Sequence, residues 1–193
     1  MKELWLIRHG QTDWNADGRI QGSTDVPLNA MGLAQARALV PGLEDVAFDA
    51  VYASDLGRAW TTCVTSLPKA VPRSDARLRE LAYGVLEGNR WSELTGDLAS
   101  AARVWLEDPS ARRIDGGESY ADVRDRMRGF IDDLPERGRF AAFTHGGTIL
   151  NTLYGIVGEP NGTAWRFEID NCSVTRLRFD RRGATILSVN ERV

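Results

Sequence analysis

Apolar runs that alternate with stretches of helical spacing predict an α/β fold, a three-layer sandwich with a mostly parallel central sheet and helices on both faces. Two observations carry this expectation. Apolar runs at 4–7, 48–53 and 140–144 each lead into a polar or glycine turn, and a helix-like segment follows. The only two histidines, His9 and His145, each stand just past such a run and just before a glycine. Ligands of open α/β sheets bind at the carboxyl ends of the strands, so the two imidazoles are expected to share one pocket.

With 193 residues, 42% of them hydrophobic and 26% charged, the chain is expected to form a single domain, 1–193, with a buried core. A net charge of -3 and a pI near 5.5, with no long run of like charges, argue against a nucleic-acid or membrane surface. No apolar stretch approaches the ~20 residues of a membrane span, and no signal-peptide layout precedes the first strand. A cytoplasmic monomer or homodimer is expected. Cys63 and Cys172 lack C-x-x-C spacing and read as buried free thiols.

The first strand, Leu4-Trp5-Leu6-Ile7, ends on Arg8-His9-Gly10. Asn29 then caps a helix whose face is Leu33, Ala36 and Val40, ended by Pro41-Gly42. After the strand at 48–53, Ser54-Asp55 reads as a cap for a helix through Ala59, Cys63 and Ser66 that Pro68 stops. A short strand is expected near Ala70-Val71, an ordered loop over 78–88, and a helix over 91–106 broken at Thr95-Gly96 and closed by Asp108-Pro109. Ser119 and Asp122 form a capping-box-like start for a helix facing the core with Val123, Met127, Phe130, Ile131 and Leu134. The strand at 140–144 reaches His145, and a helix over 148–156 starts from Gly146-Gly147. Strands at 173–179 and 184–190 form an antiparallel hairpin across Asp180-Arg181-Arg182-Gly183. No repeat, low-complexity tract or linker divides the chain.

An arginine beside a histidine at a strand end suggests an imidazole nucleophile attacking a group that the arginine holds. Phosphate fits best, because a guanidinium fork matches its oxygens and an imidazole with a reference pKa of ~6.5 is an available nucleophile at neutral pH. The tripeptide alone fits equally a half-buried histidine bonded to backbone.

The longer pattern is more specific. Leu6-Ile7-Arg8-His9-Gly10-Gln11-Thr12 with Trp14-Asn15, then Ser54-Asp55-Leu56-Gly57-Arg58-Ala59-Trp60-Thr61-Thr62, then Leu78-Arg79-Glu80 with Tyr83-Gly84 and Glu87-Gly88, then Gly117-Glu118-Ser119, and finally Thr144-His145-Gly146-Gly147 follow one another along the chain. In content and order this series resembles the histidine phosphatase superfamily, the branch of cofactor-dependent phosphoglycerate mutases and small phosphatases, and it implies a phosphoglycerate mutase-like fold. The resemblance makes His9 the nucleophile that becomes phosphohistidine, with Arg8, Arg58 and His145 forming the electropositive pocket around the phosphoryl group. Asn15 and the amides around Gln21, Gly22 and Gly146 match positions that hold phosphate oxygens. Glu80 matches the proton donor to the leaving oxygen, with Glu87 as the competing acid of the same loop. A carboxyl in that role needs surroundings that keep it protonated, expected here from Leu78 and Leu81. Phosphoryl transfer needs chiefly positioning and preorganised positive charge, so neither a metal nor a cofactor is implied.

The implied substrate is a small-molecule phosphate ester. Mutases of the family have additional chain after the acid loop and a substrate-binding lysine there; here that region is short and lysine-free, with Arg90, Arg103, Arg112 and Arg113 as the available substitutes. Hydrolysis by a phosphatase, such as an α-ribazole phosphatase or a broad-specificity one, is therefore expected ahead of a mutase. Trp91, Trp105 and Trp165 could wall a pocket for a ring, or pack in the core. Gln11 stands where many relatives have glutamate. A non-catalytic phosphate binder of the same fold should lack the nucleophile or the acid, which this chain keeps, and a dinucleotide-binding domain should carry G-x-G-x-x-G after the first strand, which this chain lacks.

Overall fold

The computed structural model describes residues 1–159 and 166–193; Trp165 lies outside them. Six strands form one sheet: β1 (Lys2–Arg8), β2 (Ala50–Ala53), β3 (Arg73–Ser74), β4 (Gly138–Thr144), β5 (Val174–Asp180) and β6 (Gly183–Glu191). Their order is β3-β2-β4-β1-β5-β6, with the pairs β2·β3, β2·β4 and β1·β4 parallel and β1·β5 and β5·β6 antiparallel. The described helices are α1 (Asp13–Ala16), α2 (Ala30–Ala38), α3 (Val40–Leu43), α4 (Gly57–Ser66), α5 (Gly96–Glu107), α6 (Tyr120–Asp133) and α7 (Gly146–Val157).

The alternation of side chains along β1 divides the core. Leu4 and Leu6 join Phe140 and Ala142 of β4 on one face, under Trp105 of α5, Val123, Met127 and Phe130 of α6 and Ile149 and Leu153 of α7. Trp5 and Ile7 join Ala141 and Phe143 on the other face, under Ala36 of α2, Leu43 of α3 and Cys63 of α4. Central strands buried on both faces read as continuous apolar runs, which is why β1 and β4 were legible as such. Helices cover both faces, as the strand-helix alternation predicts. Both cysteines are buried and free.

Local chemistry sets the ends. Ser119 and Asp122 close the expected capping box on α6, and Gly183, with φ of 109°, turns the β5–β6 hairpin. Asn29 caps α2 through Gly32 N–H at 2.9 Å. Ala36 is buried as expected, but the stripe continues through Gly32, Leu39 and Leu43 instead of Leu33 and Val40. Pro41 does not end the helical path there; it sits in the first turn of α3, where a missing N–H costs nothing. The edge strand falls at Arg73–Ser74, past Ala70-Val71, and 91–106 resolves into a 3₁₀ turn at Trp91–Glu93 followed by α5. Ser54-Asp55 is not the cap of α4: Asp25, from a distant loop, accepts Gly57 N–H at 3.0 Å, and Asp55 pairs with Arg79. No helix among the described residues is long and apolar enough to cross a membrane.

Candidate active site

The parallel register of β1 on β4 pairs Arg8 with Thr144, so the next residue on each strand is a histidine at the same edge of the sheet. His9 N–H continues the ladder to Thr144 O at 3.0 Å, and the two imidazoles meet edge to face with centroids 5.1 Å apart. β2 ends level with them, where Ser54 N–H bonds Phe143 O at 2.9 Å, and delivers the start of α4 with Arg58 to the same point. Among the expected site residues, His9, His145 and Arg58 are brought together.

His9 is 1% exposed. Burial first, then the Arg58 and Arg8 charges, hold its imidazole well below the ordinary histidine range, against an opposing bond to Gly10. Its Nδ1 lies 2.7 Å from Gly10 O, and a carbonyl can only accept, so Nδ1 carries the proton and the Nε2 lone pair is free. His145 has the opposite tautomer. Arg58 Nε–H donates to His145 Nδ1 at 3.2 Å, which places the proton on Nε2, a buried donor without a partner among the described residues. Burial and the charges of Arg58 and its neighbours keep this ring neutral too.

Arg58 is fully buried. Its Nη1 donates to Thr24 O at 2.7 Å and its Nη2 to Gly22 O at 2.6 Å, with Asp25 at 3.9 Å. Three of its five N–H groups are thus engaged, leaving one on each terminal nitrogen. Burial pulls its pKa down to about 10, so it stays cationic at neutral pH; Glu80, Asp25 and Glu87 oppose the shift. Arg8 donates to Ile169 O at 2.5 Å, while its buried Nε has no partner among the described residues. Gly146 admits it: a Cβ there would stand 3.3 Å from Arg8 Nε. Asn15 closes a capping box with Thr12, its Oδ1 accepting Thr12 N–H at 3.2 Å, and Thr12 Oγ1 donates to Gln21 Oε1 at 2.6 Å. Gln21 and Gly22 are buried beside Arg58.

Glu80 is placed differently from expectation. Leu78 and Leu81 turn into the core, and the Glu80 carboxylate accepts Leu81 N–H at 2.9 Å, Gly147 N–H at 3.1 Å and Thr148 N–H at 3.0 Å. Its surroundings are main-chain donors at the start of α7 instead of an apolar wall, a consequence of the positive end of that helix. It stays within electrostatic reach of Arg8 and Arg58. Glu87 is neither an acid facing the histidines nor a solvated carboxylate: Ser23, Thr24 and Tyr83 bind it.

Other residues hold this arrangement in supporting roles that no sequence pattern assigns to them. Thr62 Oγ1 accepts Gly10 N–H at 3.0 Å and donates to Arg58 O at 2.7 Å, bridging the His9 loop to α4. Asn171 Nδ2 donates to His9 O at 2.9 Å and reaches Asn15 Oδ1 at 3.4 Å; the next residue, Cys172, takes φ of 58° to bring its N–H to Arg8 O. Gln11 pairs through Oε1 with Asn29 Nδ2 at 3.1 Å, a contact that needs an amide or carboxylate acceptor and no charge. Trp105 is core, stacked on a half-exposed Trp91 at 6.3 Å, and neither lies against the histidines.

Among known proteins, the family model of the histidine phosphatase superfamily (branch 1) matches residues 4–192. The probable phosphoglycerate mutase GpmB of Proteus mirabilis is 32% identical over 93% of this chain and 86% of its own. A putative alpha-ribazole-5'-P phosphatase structure from Escherichia coli superposes with a TM-score of 0.89 at 28% identity, covering 100% of this chain and 97% of that one. A mutant (H9A) of phosphoserine phosphatase from Entamoeba histolytica, solved with phosphoserine, gives 0.86 at 26% identity, covering 100% and 98%.

Proposed function

The chain belongs to the histidine phosphatase superfamily, and from that premise we propose that it is a phosphomonoesterase that hydrolyses a small-molecule phosphate ester through a phosphohistidine on His9. The observation that carries this reading is the pairing of tautomers at the sheet edge: a buried imidazole with a free Nε2 lone pair beside one with a free Nε2–H. Nε2 of His9 attacks phosphorus as the ester P–O bond breaks. The spare N–H groups of Arg8 and Arg58 and the Nε2–H of His145 meet the nonbridging oxygens, where charge is spread in the transition state. The Asn15 amide and the main chain at Gln21, Gly22 and Gly146 complete the cradle.

Glu80 gives the leaving oxygen its proton. The proton enters with the substrate: an ester bound as its phosphate monoanion passes that proton through the Glu80 carboxylate to the leaving oxygen. The Glu80 carboxylate then takes a proton from the water that splits the phosphohistidine, releasing phosphate and restoring His9. Support for hydrolysis over transfer comes from the surface arginines that would have to replace a mutase lysine. Each is already paired: Arg90 with Glu93, Arg103 and Arg112 with Glu107, Arg113 with Asp122. The alcohol is α-ribazole or one of a broad set.

Purified protein assayed in excess chelator against α-ribazole phosphate, sugar phosphates, nucleotides and 3-phosphoglycerate tests the reading. Hydrolysis without added metal is expected. Loss of all activity with EDTA and rescue by a divalent ion would contradict it, and so would efficient interconversion of 3- and 2-phosphoglycerate with a bisphosphate primer.

A further inference from the structure

Glu87 carries a set of bonds that the proposed chemistry does not use. Its Oε1 accepts Ser23 N–H at 2.9 Å, Ser23 Oγ–H at 3.0 Å and Tyr83 N–H at 3.0 Å, and its Oε2 accepts Thr24 N–H at 2.9 Å and Thr24 Oγ1–H at 2.5 Å. The packing is close: a Cβ on Gly22, whose φ is 55°, would stand 2.1 Å from Glu87 Oε1. Main-chain bonds knit the same two segments together, from Gly88 N–H to Ile20 O at 2.8 Å and from Ile20 N–H to Asn89 O at 2.9 Å. On its other side this loop turns two carbonyls, Gly22 O and Thr24 O, onto the terminal nitrogens of Arg58. One carboxylate therefore holds Ser23 and Thr24 while the carbonyls of Gly22 and Thr24 hold a buried guanidinium.

Resting on the phosphatase reading above, we propose that Glu87 is a positioning residue that aims the two spare N–H groups of Arg58 at the phosphoryl oxygens by clamping the loop from Gly22 to Thr24. Each of these five bonds is donated to Glu87, so the clamp requires a carboxylate. A glutamine of the same shape must set its NH2 group against either Thr24 N–H or the N–H groups of Ser23 and Tyr83, and the loop has to shift. Arg58, with no flexible surface freedom in its buried site, shifts with the carbonyls it follows. A role in protonating the leaving group would show a different signature, one that depends on leaving-group ability.

A double-mutant cycle decides the matter, using p-nitrophenyl phosphate and an alkyl phosphate as substrates and inorganic phosphate as competitive inhibitor. Glu87→Gln is expected to weaken phosphate inhibition and lower kcat/KM by equal factors on both substrates, roughly tenfold, the scale of coupling within one hydrogen-bond network. In an Arg58→Gln background the same change should add less than about twofold. Thr24→Val with Arg58→Lys forms a milder cycle with the same expectation should the first pair fail to fold. A full-sized effect of the Glu87 change in the Arg58 variant, or none in the wild type, would overturn the positioning role while leaving the phosphatase reading intact. A folded wild type that neither hydrolyses p-nitrophenyl phosphate nor binds phosphate would overturn the reading and the inference with it.

Discussion

The two imidazoles at the sheet edge each carry one proton on opposite nitrogens, and that difference sets the chemistry. His9 presents a lone pair because Gly10 O takes its Nδ1–H; His145 presents a donor because Arg58 takes its Nδ1 lone pair. Both rings are held below the ordinary histidine range, chiefly by burial. The unfolded chain therefore binds protons near the reference pKa of ~6.5 that the folded chain refuses. Stability is full above that value and falls as pH drops through and below it, by up to about 1.4 kcal/mol per pH unit for each histidine. Urea midpoints should fall between pH 7.5 and 5.5, and an unchanged or rising midpoint would show that the rings are not buried neutral. At Glu80 the expected signature is chemical. Glu80→Gln should reduce kcat on an alkyl phosphate on the order of a hundredfold, yet far less on p-nitrophenyl phosphate, whose phenolate leaves without help. Equal losses on both would remove Glu80 from the acid role.

At the scale of elements, the nucleophile loop is held by backbone contact with α2. A Cβ on Gly32 would stand 2.1 Å from Gln11 O, and one on Gly10 would stand 2.4 Å from Gly32 O, so the helix and the loop touch main chain to main chain. Gly32→Ala is expected to cost about 1–3 kcal/mol of stability, as for other overpacked sites, and to lower kcat/KM by displacing His9. A variant as stable and active as wild type would show that the loop is free of the helix. Contacts of this kind explain what the sequence conceals. The capping box of α6 and the glycine of the β5–β6 turn were legible because each is settled within a few residues. The cap of α4 is not legible because its acceptor, Asp25, arrives from 32 residues away, and the expected positions Leu33 and Val40 on α2 fall one residue past the buried Gly32 and Leu39 because Gly32, a close-approach residue, faces the loop.

For the whole molecule, the sheet order and the level ends of β1, β2 and β4 bring His9, Arg58 and His145 into contact from three parts of the chain. That convergence was legible, because two strand-final histidines in a parallel sheet have few other places to meet. The supports around it were not. Asn171 reaches His9 O across 162 residues, and Glu87 reaches Ser23 across 64, and neither carries a local pattern that names its partner. The surroundings of Glu80 are hidden for the same reason: Leu78 and Leu81 flank it in sequence, but the amides of α7 surround its carboxylate in space. On the proposed chemistry every phosphoryl group passes through His9. Brief mixing of the protein with a 32P-labelled phosphate monoester, acid or alkali quench and counting of protein-bound label tests it most directly. An acid-labile, alkali-stable adduct is expected on the wild type and none on a folded His9→Ala variant; an equal adduct on that variant, or turnover by it at the wild-type rate, would contradict it.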